Sequence, residues 1–132
     1  MKKALSLIMF IGIAMVASSC KKEVTQVIQP NQTILIPVNE QEWLLDDQTY
    51  TAEIPLPELD SYEQENAAVL VYISFDDGLN FEQIPEVYDG RAFSFTHSVG
   101  FLYIDAQRYN GTTLLENPGD ILVKVVIVDS QP

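Results

Sequence analysis

Ile121-Leu122-Val123-Lys124-Val125-Val126-Ile127-Val128 (ILVKVVIV) decides the fold class. It follows a Pro118-Gly119 turn signal, is rich in β-branched residues and is apolar at odd and even positions alike. A short apolar run bounded by turn residues predicts a central strand with neighbours on both sides. Its one charge is Lys124. A charge in such a strand must be paired or must snorkel, and a salt bridge with Asp105 on a neighbouring central strand is the expected arrangement.

Outward from this strand the same grammar repeats. Ala67–Phe75 (AAVLVYISF) and Val99–Ala106 are apolar on both faces, the latter interrupted by Asp105. Both are therefore expected to be central and covered twice. Thr49–Leu56 alternates, with Tyr50, Ala52, Ile54 and Leu56 on one face and Thr49, Thr51 and Glu53 on the other, which predicts one wet face. Ala92–His97 places Phe93, Phe95 and His97 together, before a break at Ser98. Gln32–Val38 contains Pro37, which has no ladder donor, so it is an edge strand or a strand end. Leu79–Ile84 is a candidate short returning strand stopped by Pro85. Asp77-Gly78, Asp89-Gly90 and Asn110-Gly111 mark turns. Pro57–Asn66 is polar and acidic, suited to one or two helical turns or to an acidic loop. No helical period runs ten residues after the first apolar segment. The result is an all-β chain: a single antiparallel β-sandwich, immunoglobulin-like or related, of about six to seven strands, with an open barrel as the alternative.

The N-terminus has a different character. Met1-Lys2-Lys3 precedes an apolar run from Ala4 to Ala17, then Ala17-Ser18-Ser19-Cys20. A basic start, an apolar middle and small residues before a cut describe an export signal. The run would span about 21 Å as a helix, short of a hydrocarbon core of about 30 Å. Cys20 is the only cysteine and has no internal disulfide partner. The residues before it resemble the lipobox of bacterial lipoproteins, with Ala17 where leucine is usual. The resemblance implies diacylglyceryl transfer to the Cys20 sulfur and cleavage between Ser19 and Cys20. Two acyl chains hold a protein stably where one does so only marginally. Residues 1–19 are thus expected to be a lipoprotein signal peptide, 20–31 a lipidated cysteine and tether, and 32–132 the sandwich domain.

Removal of 19 from 132 residues leaves 113, the size of one domain. Loss of Lys2 and Lys3 takes the basic count from 7 to 5 against 19 acids, a formal charge of −14. That opposes nucleic-acid binding, which needs Lys and Arg on phosphates. It favours solubility and cationic partners.

Trp43, then Tyr50-x-Ala52-x-Ile54-Pro55, an acidic turn, Ala68-Val69-Leu70-Val71-Tyr72, Gln83-Ile84-Pro85 and an apolar last strand with one basic residue together resemble a group of small lipoproteins of Bacteroidota. The resemblance covers most of residues 38–129. It implies a single lipid-anchored β-sandwich and brings no established activity. Exported members of that group often carry acids directly after the lipidated cysteine, where this chain has Lys21 and Lys22.

Catalytic constellations are sparse. His97 is the only histidine, and alternation puts Ser94 and Thr96 on the opposite face of its strand. No G-x-S-x-G elbow is present. The expectation for His97 is packing near Phe93 and Phe95. One histidine and one lipid-blocked cysteine do not make a zinc, haem or iron–sulfur site, and no cofactor is expected. Calcium needs only oxygens, so Asp76, Asp77, Asn80 and Glu82 around Gly78 are weak candidates, although turn geometry alone demands such residues. Carboxylate pairs offer a glycosidase reading with no means of choosing the pair. Among the aromatics that could stack on sugar rings (Trp43, Phe81, Tyr88, Tyr103 and Tyr109), Tyr88 and Tyr109 adjoin turn signals and are the candidate ligand-binding residues. Trp43 is expected to cap the sandwich.

The functional expectation is a non-enzymatic lipoprotein of the cell envelope, held at the outer membrane through lipid on Cys20, that binds or supports an envelope protein or glycan. A carbohydrate-binding module and a carboxylate-dependent hydrolase are the alternatives.

Overall fold

A computed structural model describes residues 30–110 and 115–130. The expected export signal, the expected cleavage between Ser19 and Cys20, the expected lipidation of Cys20 and most of the expected tether lie outside the described residues.

Among the described residues nine strands form two antiparallel sheets. They are β1 (Gln32–Val38), β2 (Trp43–Asp46), β3 (Thr49–Pro55), β4 (Ala68–Ser74), β5 (Glu82–Gln83), β6 (Glu86–Tyr88), β7 (Arg91–Ser98), β8 (Phe101–Arg108) and β9 (Ile121–Val128). One sheet has the order β1-β9-β4-β5 and the other β2-β3-β8-β7-β6. The chain is an all-β sandwich, and its sheets do not close into the barrel held as the alternative. Two short strands, β2 and β6, were not expected.

The alternation in Thr49–Leu56 is present as the sequence predicts: Ala52, Ile54 and Leu56 are buried and Glu53 is exposed. From the facing sheet come Val71 and Ile73 of β4 and Val123, Val125 and Ile127 of β9, all buried. With Phe93, Leu102 and Ile104 they form one core between the layers. Burying such a side chain is worth about 1.5–3 kcal/mol, so this inner stripe holds the layers together. Pro37 lies on β1, which pairs only with β9 and is an edge strand as its proline requires.

β4, β8 and β9 are central, but none is covered twice; β8 turns its second face out of the five-stranded sheet, and the second face of β4 and β9 is the outside of the four-stranded sheet. Register aligns Leu35, Lys124 and Tyr72 there, and Thr33, Val126 and Leu70 beside them. Leu35 is 57% exposed and its neighbours on β4 and β9 are half-buried. The other sheet turns Glu53, Ser94, Thr96 and Gln107 to solvent.

The expected Lys124–Asp105 salt bridge does not form, because β9 and β8 lie in different sheets. Asp105 instead accepts a hydrogen bond from Thr51 Oγ1 on the next strand. The Lys124 ammonium sits 4.6 Å from the Tyr72 ring centroid and 4.3 Å from that of Phe81, so two aromatic faces stand where a carboxylate was expected.

The acidic segment yields one helix, α1 (Ser61–Asn66). It starts later than Pro57, because Asp60 is its N-cap: Asp60 Oδ1 accepts from the backbone N–H groups of Tyr62 and Glu63 at 2.8 and 3.0 Å. Trp43 caps one end of the core, nearly fully buried, and its indole N–H donates to the Gly119 carbonyl at 2.9 Å.

Candidate functional site

Two adjoining clefts meet beyond the end of β4, one beside the end of β1 and the start of β9, the other beside β5 and β6. One, of about 440 Å³, is lined by Val38, Asn39, Ser74, Asp77, Asp120 and Leu122, among others. The second, of about 380 Å³, is lined by Phe75, Asp76, Asn80, Phe81, Glu82 and Tyr88. Phe75 and Asp76 line both.

Local sequence builds these walls. The chain leaves β4 at Ser74, whose hydroxyl accepts from the Gly78 N–H at 2.8 Å and donates to Asp76 Oδ1 at 2.8 Å. Asp76 Oδ1 also accepts from the Asn80 N–H at 2.8 Å, and its Oδ2 from Asn80 Nδ2 at 2.6 Å. Hydrogen bonds from the Asn80 side chain and backbone, then from Ser74, hold the Asp76 carboxyl below the ordinary carboxylate range. Gly78 takes a φ of +88, and a Cβ there would lie 3.2 Å from Leu122 Cδ2, so glycine fits both the backbone and the space.

Asp76, Asp77 and Asn80 thus share one turn while Glu82 follows on β5 and faces inward, and Asp76 spends both oxygens on the turn itself. Asp77 has a φ of +58 within it. Among the described residues no group of three or more His, Cys, Asp or Glu side chains is arranged to hold a metal ion.

Tyr88, 40% exposed, lies flat on Phe75, with ring centroids 4.2 Å apart and planes at 7°. Phe75 meets Phe93 of the core edge-on at 5.4 Å. One face of the Tyr88 ring is therefore already occupied, and the stack forms the cleft wall. Tyr109 is 64% exposed, and its N–H donates to the Gly90 carbonyl at 3.0 Å, so both tyrosines flank the β6–β7 turn. Phe81 and Tyr103 are half-buried. Phe81 packs under Lys124, and Tyr103 lies 6.3 Å from Phe101 on the outside of the five-stranded sheet.

Arg91 stands at the same end. Its guanidinium approaches Asp89 at 3.6 Å and Glu116 at 3.8 Å, and its Nε donates to the Glu116 carbonyl. His97 is six residues further along β7, about 20 Å away at strand rise. It lies beside Phe95 at 6.4 Å between ring centroids, and its Nδ1 is 2.8 Å from Gln64 Oε1. That is the packing expected of it, with Gln64 of α1 as an added partner.

Sequence reasoning missed Phe75, because its run reads as strand core, and Glu86, because nothing marks β6 as a strand. Glu82 pairs with Ile73 and Glu86 with Phe93. Both acids share a face with a buried apolar residue and so face the space between the layers. Oε2 of Glu82 and Oε1 of Glu86 are buried without a hydrogen-bond partner among the described residues. The inward alternation Glu86–Tyr88 was the available signal, hidden by the brevity of the segment.

The clefts offer carboxylate oxygens and aromatic faces, which suit a cationic or hydroxyl-rich ligand. No family model matches this chain, and comparison with curated proteins and with solved structures finds no similar protein.

Proposed function

We propose that this chain is a lipid-anchored, non-enzymatic binding domain of the bacterial cell envelope, carried at the outer membrane through Cys20. The observation that supports it is polarity of the fold. The chain enters the sandwich at Gln32, pairs along β1 and reaches the cleft end at Val38. Seven residues of strand, about 23 Å, separate the tether's entry from the clefts. A domain held at its N-terminal end would turn the aromatic and acidic end outward. The ligand face is then furthest from the bilayer, and the lipid alone keeps the protein in place.

Replacement of the sulfur tests the anchor. The unaltered full chain, expressed in a bacterium with lipoprotein processing, should incorporate labelled palmitate and sediment with membranes. Cys20→Ser should take up no label and appear in the soluble fraction with its fold intact. A Cys20→Ser protein that still sediments with bilayers overturns the proposal.

A further inference from the structure

Two acids point inward at the edge of the sandwich formed by β5 and β6, each with a buried oxygen that has no hydrogen-bond partner among the described residues. β5 is the last strand of one sheet and β6 the last strand of the other. The chain passes between them through Ile84 and Pro85, joined by a cis peptide bond. Ile84 is buried, and its N–H donates to the Val71 carbonyl at 3.0 Å. The crossover is thus pinned to the centre of the four-stranded sheet. On either side of it Glu82 and Glu86 point inward from opposite layers, each with a buried oxygen that no described group satisfies.

An ionised carboxylate only accepts hydrogen bonds. Two of them meeting across an interlayer gap repel, unless a proton lies between them, when one becomes the donor and the other the acceptor. We propose that Glu82 and Glu86 form a proton-sharing latch across this edge, closed while one proton lies between their carboxyls and released when that proton leaves to solvent and both ionise, so that pH governs access to the cleft lined by Phe75, Phe81 and Tyr88. Glu82 is itself part of that cleft's wall, so release of the latch moves the wall. The latch lies wholly among the described residues and stands whether or not Cys20 is lipidated.

The surrounding charges do not supply the missing donor. Asp76, beyond the end of β4, is committed to Asn80 and Ser74. Arg91 on β7 is committed to Asp89 and Glu116. Arg108 shares the inner face of β8, with its Nε buried and unpartnered among the described residues, and is not among the groups that raise Glu86. Tyr88 follows on β6 itself, stacked on Phe75. Lys124 lies over the Phe81 ring on the outside of the sheet. Burial first, and then the hydrogen bond and charge of Glu82, push Glu86 up from 4.5 to about 7.

Glu86→Gln tests the latch, because an amide supplies a permanent donor at the same place. Denaturant unfolding of the full chain and of the variant at pH 5 and pH 8 reads the difference. The unfolding constant of the parent relative to the variant should rise at least about tenfold between the two pH values. Hydrogen exchange at the Ile84 amide, corrected for its intrinsic rate, should speed up with pH in the parent and stay level in the variant. Equal changes in both proteins, or faster exchange in the variant at pH 8, overturn the proposal. Should Glu86→Gln fail to fold, carboxyl carbon resonances of the parent decide. One of the two acids titrating near neutrality supports the latch, and ordinary titration of both refutes it.

Discussion

Glu63 is the acid at which burial and chemistry conflict most. It is 3% exposed, at the third position of α1, and its Oε2 has no hydrogen-bond partner among the described residues. The helix start explains its presence: an acid in the first turn meets the positive end of the helix dipole, and the segment is acidic throughout. Burial, then the charges of Asp129 and Asp60, raise its carboxyl above 4.5. The direction fixes the pH dependence. A folded-state value above the unfolded one means that the native protein binds more protons between the two, so stability falls as pH rises from 4.5 through the raised value. Glu63→Gln removes the charge and keeps the shape. The variant should match the parent near pH 5 and unfold at higher urea at pH 7.5, with the denaturant slope unchanged. A midpoint lowered at pH 7.5 would show that the ionised carboxylate is stabilising there. Lys124 is the opposite case: a charge expected to need a carboxylate is accommodated by the faces of Tyr72 and Phe81.

The hairpin joining β2 to β3 shows why some elements are visible in a sequence and others are not. Asp47 and Gln48 both take positive φ, +38 and +66, the signature of a two-residue turn matched to strand twist. Glycine or asparagine usually marks such a turn, and Gln48 gives no such mark. Asp89 and Gly90, with φ of +49 and +72, make the corresponding turn between β6 and β7, and there the Asp-Gly pair announces it. Gln48→Gly should therefore relieve a side chain from the left-handed region and raise stability by about 0.5–1 kcal/mol, read from urea midpoints. No change would mean that Gln48 recovers the cost through contacts of its own. The same contrast runs through the rest of the chain. Alternation and β-branching over seven or eight residues made the long strands, the edge position of Pro37 and the inward face of β3 legible. The two- and three-residue strands β5 and β6 carry too few positions to show a period, so the Glu82–Glu86 pair at their edge stayed hidden. Sheet membership was illegible for a different reason. Whether Asp105 and Lys124 share a sheet depends on strand order, a non-local property. For Asp76, Asp77 and Asn80, local sequence correctly indicated the turn, while cleft walls such as Phe75 and Tyr88 became apparent only once the two layers were stacked.

At the scale of the whole molecule, charge outweighs any single contact. The 132 residues carry 19 acids against 7 bases, a formal charge of −12, and −14 without residues 1–19. Self-repulsion of that size weakens the compact state, since unfolding moves like charges apart. Salt acts on this repulsion and on attractive pairs at once, so the sign of its effect depends on which is larger. Among the described residues the attractive side is small. Arg91 reaches Asp89 and Glu116 at 3.6 and 3.8 Å, and both acids are about three-quarters exposed, where ion pairs are worth about 0–1 kcal/mol. Lys124 is held by rings, whose attraction does not depend on a paired ion. Repulsion among many acids therefore wins. Raising sodium chloride from 0.01 to 0.15 M shortens the screening length from about 30 to about 8 Å. The melting temperature at pH 8 should rise with it by a few degrees. At pH 5, nearer the sequence isoelectric point of about 4.1, the rise should shrink because fewer acids are ionised. A melting temperature that falls with salt at pH 8 would mean that attractions outweigh the acidic shell. The same shell would act on any cationic group entering the clefts beside Asp76 and Glu82: the whole field would draw it as well as local contacts, and that attraction would weaken under the screening that stabilises the fold.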